Sequence, residues 1–246
     1  MAMKTILAAC LVAWMTEWAS AQLFESFEYS GFPPGGWAKT NLQGGSGWYR
    51  LPVGVAPLPG WGNGTSSVPP TAGAGQYTAY CTWNTGGGAS EGYHSDQWLI
   101  SPRLTGLCAT STLSFWLRFA FTNYPDTLYI RVSTNTANPP DFTRVIHTNR
   151  FERGSWPNQF PPWSNVVVAL GNLGIAAGTP LYIAFQEYEW DNTWNGAAVQ
   201  LDAISSDLTA PPDPRLSATQ LVFATTFGNN PQAQSIALAN AGSSDN

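Results

Sequence analysis

Apolar and polar side chains alternate at every second position through much of residues 76–204, and this constrains the fold more than any other property of the chain. In LSFWLRFAF, residues 113–121, Phe115, Leu117, Phe119 and Phe121 fall on one face of an extended backbone, and Trp116 and Arg118 fall on the other. In residues 127–133, Leu128, Ile130 and Val132 alternate with Tyr129 and Arg131. Residues 76–83, 142–147, 166–170, 181–188 and 197–204 are further strand candidates, and 98–100 opens another. Turn-rich loops separate them at 57–75, 84–92, 135–141 and 153–162, in keeping with 24 Gly and 19 Pro in 246 residues. No apolar stripe of helical period is present. Short strands at this spacing predict an all-β, antiparallel sandwich.

The ends of the chain read differently. Lys4, the apolar stretch 6–15 and Ala19-Ser20-Ala21 form the parts of a secretory signal, so residues 1–21 are expected to be removed. The run is too short to cross a bilayer, and Glu17 interrupts its extension. Leu7-Ala8-Ala9-Cys10 has the form of a lipoprotein box, but cleavage there would leave almost no apolar region before it. A formal net charge of −5 with only 10% charged residues excludes a basic nucleic-acid footprint, and 43% hydrophobic content excludes disorder of the bulk. Cys81 and Cys108 remain as an even pair in an exported chain, and a disulfide between them is the expectation, stabilising by roughly 3–4 kcal/mol. TAPPDPR, residues 209–215, reads as a Pro-rich linker. Residues 216–246 then resemble the opening of a bacterial Ig-like module, with strands expected at 216–223 and 234–240. Two strands cannot bury a core, so this segment is expected to be an incomplete domain, with further domains of the same polypeptide following.

Four blocks carry a family resemblance. FESFEYSGFPPGGW (24–37), SDQWLISP (95–102), LSFWLRF (113–119) and VQLDAI (199–204) occur in an order and at separations that resemble the bacterial cleaved-adhesin and choice-of-anchor J domains, distantly like MAM domains. The resemblance spans residues 24–208. It implies a secreted jelly-roll sandwich over 22–208 and a structural calcium held by Glu25 and Asp202, whose strands lie side by side in a jelly roll. Two carboxylates completed by carbonyl oxygens suit a hard cation that takes six to eight oxygens. Ala203 stands where a second acidic residue is usual, and Gly35-Gly36 lengthens the FPPGW turn by one residue. Asp96 is a third metal candidate, or alternatively an Asx cap on the turn entering its strand.

Residues able to do chemistry are few. Glu187, Glu189 and Asp191 in EYEWD share one face if their strand continues, an arrangement a β-sandwich glycoside hydrolase could use as nucleophile and acid, although the order differs from E-x-D-x-x-E; a second calcium, or a loop tip with solvated acids, is the alternative. Gly88-Ala89-Ser90-Glu91-Gly92 fits G-x-S-x-G but lacks a preceding strand and a following helix, and His94 and His147 are the only histidines. Aromatics are plentiful instead. Trp37, Trp98 and Trp116 are expected in the core, while Trp61, Trp190 and Trp194, with Asp191 and Asn192, form the expected ligand surface, since pyranose rings stack on indoles. The favoured expectation is therefore a non-catalytic, secreted or cell-surface adhesion module that recognises a glycan or an extracellular protein. A glycosidase acting through Glu187 and Glu189, or a purely structural spacer, are the alternatives.

Overall fold

The computed structural model describes residues 21–58, 60, 66–70, 75–87, 93–121, 123–152, 161–211, 214–216 and 238–240. Two antiparallel sheets face each other, and the described residues contain no α-helix. Sheet I has the order β3 (Tyr49–Pro52), β4 (Tyr77–Thr82), β11 (Ala198–Ala210), β6 (Thr112–Ala120), β9 (Ser164–Ala169), with β1 (Ala21–Glu25) also on β11. Sheet II has the order β2 (Ala38–Asn41), β5 (Ser95–Ile100), β10 (Tyr182–Glu189), β7 (Asp126–Ser133), β8 (Arg144–Phe151). This is the expected all-β jelly-roll sandwich.

The alternation read from the sequence is the alternation that builds the core. Phe115 and Leu117 of β6, Leu128, Ile130 and Val132 of β7, Ile183 and Phe185 of β10, and Val199 and Leu201 of β11 all point between the sheets and are buried. Phe115 and Phe185 meet edge to face across the sandwich with centroids 5.2 Å apart. Among the expected core tryptophans, Trp37 and Trp98 are buried and Trp116 is half-buried. Trp98 is covered on the outside of sheet II by Phe142, from the short 3-10 turn at Pro139–Asp141, with ring centroids 5.7 Å apart.

β11 organises sheet I because it is long. One edge pairs with β6, while the other takes β4 along residues 198–201 and β1 along 204–210. The handover falls at Ala203, a non-glycine residue at φ 44, where the register to β6 slips between Asp202 and Ser205. A bulge of this kind re-aims the neighbouring side chains.

Three expectations change. Cys81 and Cys108 are both free. Cys81 is buried opposite Val199 of β11, whereas Cys108 is exposed at the turn where its N–H donates to Ser111 Oγ, which in turn donates to Asp207. Val199 and Asp207 are eight residues apart on one strand, roughly 26 Å at ~3.3 Å per residue, far beyond the ~7 Å Cα limit of a disulfide. β8 runs over Arg144–Phe151 rather than 142–147, because Phe142 is drawn into the turn over Trp98. At the C-terminus, β12 (Pro214–Leu216) pairs with β13 (Leu238–Asn240), so the first strand begins inside the expected linker. The signal segment, Trp61 and the G-x-S-x-G string lie outside the described residues.

Candidate functional site

Three places in the sandwich gather polar or aromatic groups that the fold does not itself use up. The first lies where β1 meets β11. Glu25 pairs in register with Ile204, two residues beyond Asp202, so the predicted approach of first and last strands is realised. Glu25 is buried and its Oε1 accepts the N–H of Phe27 at 2.5 Å, a residue held at φ 61. Asp202 is fully buried; its Oδ1 accepts the N–H of Ala203 at 2.6 Å, while Oδ2 has no hydrogen-bond partner. Burial, with the carboxyls of Glu28 and Glu25 adding to it, lifts the Asp202 carboxyl to about 8.

Glu28 was not anticipated, although its spacing from Glu25 in FESFE is visible in the sequence. Its carboxylate accepts the N–H groups of Gln76 at 3.0 Å and Tyr77 at 3.1 Å, tying the chain after β1 to the start of β4. Arg50 closes the cluster by donating to the carbonyls of Phe27 and Glu28, each at 2.6 Å, with its guanidinium stacked over the Tyr77 ring. Arg50 therefore serves carbonyls rather than the Asp202 carboxylate. An orphaned, fully buried carboxylate oxygen beside two more carboxyls fits a hard cation. Among the described residues no three His, Cys, Asp or Glu side chains close into a cage by themselves, so such an ion would take further oxygens from backbone and water.

Asp96 belongs elsewhere. It lies within β5, not in a turn, on the outer face of sheet II, where it accepts from Trp98 Nε1 at 2.5 Å and Gln186 Nε2 at 2.7 Å. Gln186 in turn accepts from Arg131 Nε at 2.6 Å. This relay is a scaffold under the Trp98 ring, and neither the metal nor the cap expectation for Asp96 describes it.

The second place is the connection between β10 and β11. The strand ends at Glu189, so Asp191 does not continue the carboxylate face. Trp190 and Trp194 are 71% and 67% exposed, the two most exposed large hydrophobics of the described residues. Between them Asp191 Oδ1 accepts the N–H of Thr193 at 3.0 Å, and its carbonyl accepts that of Asn195 at 3.0 Å, closing a compact turn. Asn192 is buried and donates to the Trp83 carbonyl at 2.7 Å. Asn192 thus pins the loop instead of facing a ligand, while the two indoles stand clear of it.

Beneath this loop, Glu187 and Glu189 point inward and are 1% and 4% exposed. Glu187 Oε2 accepts from Ser95 Oγ and from Gln97 Nε2, the latter at 2.8 Å. A polysaccharide has no path to carboxyls so covered, which removes the geometric basis for assigning them as a glycosidase pair. The third place is a cleft of about 330 Å³ between β6 and β8, walled by Leu117, Phe119, Phe151 and Pro162 and edged by Thr148 and Arg150.

The two facing sheets and the β1–β11 clamp define a class, the antiparallel jelly-roll β-sandwiches. More particularly, the chain has the fold of the cleaved adhesin domains of Lys-gingipain from Porphyromonas gingivalis. The K1 domain superposes with a TM-score of 0.53 at 21% identity, covering 78% of this chain and 99% of that domain. The K3 domain gives 0.51 at 20% identity, covering 75% and 98%, and the K2 domain 0.51 at 21%, covering 76% and 97%. No family model matches the sequence, and no curated protein sequence matches it.

Proposed function

We propose that residues 22–208 form an exported, non-catalytic binding module that recognises glycan chains through Trp190 and Trp194. One observation carries the reading: two indoles project from a loop that Asp191 and Asn192 hold in place by hydrogen bonds. Burying an exposed indole on binding returns about 25 cal/mol per Å² of apolar surface, while a solvated tip with no bound partner gains nothing from carrying two. The module is further proposed to carry a structural calcium between Glu25, Glu28 and Asp202. The support is the partnerless Oδ2 of Asp202, which a cation would satisfy.

The test is retention in affinity electrophoresis through a panel of soluble polysaccharides, comparing the wild-type chain with Trp190→Ala/Trp194→Ala. Retarded migration that the double substitution abolishes is the expected result. Retention that survives it would move the ligand to the cleft between β6 and β8. Absence of retention on every glycan, with binding to an extracellular matrix protein instead, would replace glycan by protein as the ligand; binding to neither would leave the chain a spacer.

A further inference from the structure

The floor of the 190–194 loop gathers three buried carboxyls with few neutralising partners. Asp126 at the start of β7 and Glu187 and Glu189 at the end of β10 are all buried, at 2%, 1% and 4% exposure. Both Asp126 oxygens accept backbone N–H groups, Oδ1 from Thr127 at 2.8 Å and Oδ2 from Ala197 at 3.0 Å. Glu187 Oε1, Glu189 Oε1 and Thr193 Oγ1 are buried with no hydrogen-bond partner.

Two of the oxygens look onto one point. A methyl group placed on Gly196, which sits at φ +76, would lie 2.9 Å from Asn192 Oδ1 and 3.7 Å from Glu187 Oε1. The space above the Gly196 Cα is therefore bordered by these two oxygens and by Trp83 Cβ at 3.7 Å, and it is closed to any larger residue.

No basic side chain neutralises the cluster from within. The nearest positive charge felt by Glu189 is Arg150 of β8, whose side chain is 56% exposed and paired with Glu152 at 2.5 Å. From the facing sheet β4 presents Cys81, a buried thiol held protonated by burial and by the Glu187 and Asp126 carboxyls. Ser95 and Gln97 of β5 supply neutral donors to a single oxygen, Glu187 Oε2. The Thr127 side chain hydrogen-bonds the Glu189 carboxyl, and the Asp126 and Glu187 carboxyls lie within hydrogen-bond reach of each other. Burying uncompensated carboxylates costs several kcal/mol per ion. Either protons or a cation must neutralise them.

We propose that the oxygens of Glu187, Glu189, Asn192 and Thr193 form a second site, for a hard divalent cation of calcium's size, which fixes the loop that carries Trp190 and Trp194. A proton shared between Glu187 and Asp126 would satisfy one pair and leave Glu189 Oε1 and Thr193 Oγ1 stranded. A cation can collect carboxylate, amide and hydroxyl oxygens together, and an all-oxygen donor set selects calcium over softer metals. The site lies apart from the Glu25–Asp202 clamp: Ala197, which donates to Asp126 and immediately precedes β11, is five residues from Asp202, about 17 Å of extended chain. Its bearing on the tryptophan loop rests on the glycan reading; the ion site itself does not.

The experiment counts calcium bound to the chelator-stripped full chain by equilibrium dialysis, alongside Asp202→Asn, Glu187→Gln and Thr193→Val. Two ions per wild-type chain are expected. Asp202→Asn should leave one. Glu187→Gln should leave one, and Thr193→Val should weaken one isotherm about tenfold while the other is unchanged. Calcium should also slow amide exchange over residues 190–196 in Asp202→Asn, where only the second site remains. Unchanged stoichiometry and affinity in both Glu187→Gln and Thr193→Val would overturn the proposal, and a Glu187→Gln chain that is more stable than the wild type and binds as many ions would assign the cluster to a shared proton. Should Glu187→Gln fail to fold, Thr193→Val decides alone. Loss of glycan retention with two ions still bound would refute the binding reading without touching this one.

Discussion

Adding calcium to the chelated chain is the perturbation that tests the ion proposed for the β1–β11 clamp most directly. Asp202 lies inside sheet I with one oxygen satisfied and the other bare, next to Glu25 and Glu28. A cation there satisfies the bare oxygen and cancels the repulsion, and it binds only the folded chain, because β1 and β11 are apart when unfolded. At a free concentration a hundredfold above Kd, one such ion adds about 2.7 kcal/mol. A domain of this size shifts Tm by about 2–4 °C per kcal/mol, so a rise of about 5–11 °C is expected. Differential scanning calorimetry of the chelated chain, titrated with calcium, reads this. Asp202→Asn keeps the shape and the acceptor for Ala203 N–H but removes the charge, so it should lose this part of the rise. Glu28→Gln should lose less, since Glu28 is already bonded to two backbone N–H groups. A chelated wild-type chain whose Tm moves by less than about 1 °C up to about 10 mM calcium, above the usual range of extracellular calcium modules, would refute the reasoning.

Other outcomes follow from residues already described. Trp190→Ala/Trp194→Ala should leave Tm within about 1 °C, since exposed positions rarely exceed ±0.5 kcal/mol, while abolishing glycan retention; calorimetry and affinity electrophoresis separate the two effects. In the folded chain, Cys108 should react with an aromatic disulfide reagent and Cys81 only on unfolding, because Cys108 is exposed and burial keeps the Cys81 thiol protonated. Hydrogen bonds from Ser111 and Thr110 hold the Cys108 thiol below its usual range, so its alkylation rate should half-saturate below pH 9. Gly196→Ala should destabilise by about 1–2 kcal/mol through its φ of +76 alone and should lower calcium stoichiometry by one. Phe115→Ala, which empties the contact with Phe185, should cost about 3–5 kcal/mol in urea unfolding.

The sequence disclosed the sandwich because a strand's period of two is written directly in its residues: Phe115, Leu117 and Ile130 could face nothing but a core. It disclosed Glu25 and Asp202 only through the resemblance of their blocks, since 177 positions separate them and nothing local shows that β1 and β11 pair. The cysteine pairing failed for the same reason in reverse. Two thiols in an exported chain invite a bond, yet opposite ends of β11 hold them apart. Strands β2 and β3 escaped notice because four residues carry too few alternations to rise above their glycine- and proline-rich surroundings. EYEWD was visible as an acidic cluster, but its direction was not. Which face of a strand looks inward depends on register with neighbours, and Glu187 pairs with Gln97 and Leu128 in a way no local pattern specifies.

That inward direction decides where recognition can occur. On the outer face of sheet II the polar groups are spent on one another: Arg131 donates to Gln186, Gln186 to Asp96, and Trp98 to Asp96 as well. A ligand laid across that face would have to break bonds before making any, and a broken buried pair costs about 1–3 kcal/mol. At the end of the sandwich the balance is reversed. Carboxyls that could have met a substrate are turned inward beneath the loop, and the indoles above need break nothing to bind. A chain arranged this way gains affinity by making the loop stiffer, not by adding contacts to the sheet. The ion proposed beneath the tryptophans would do so.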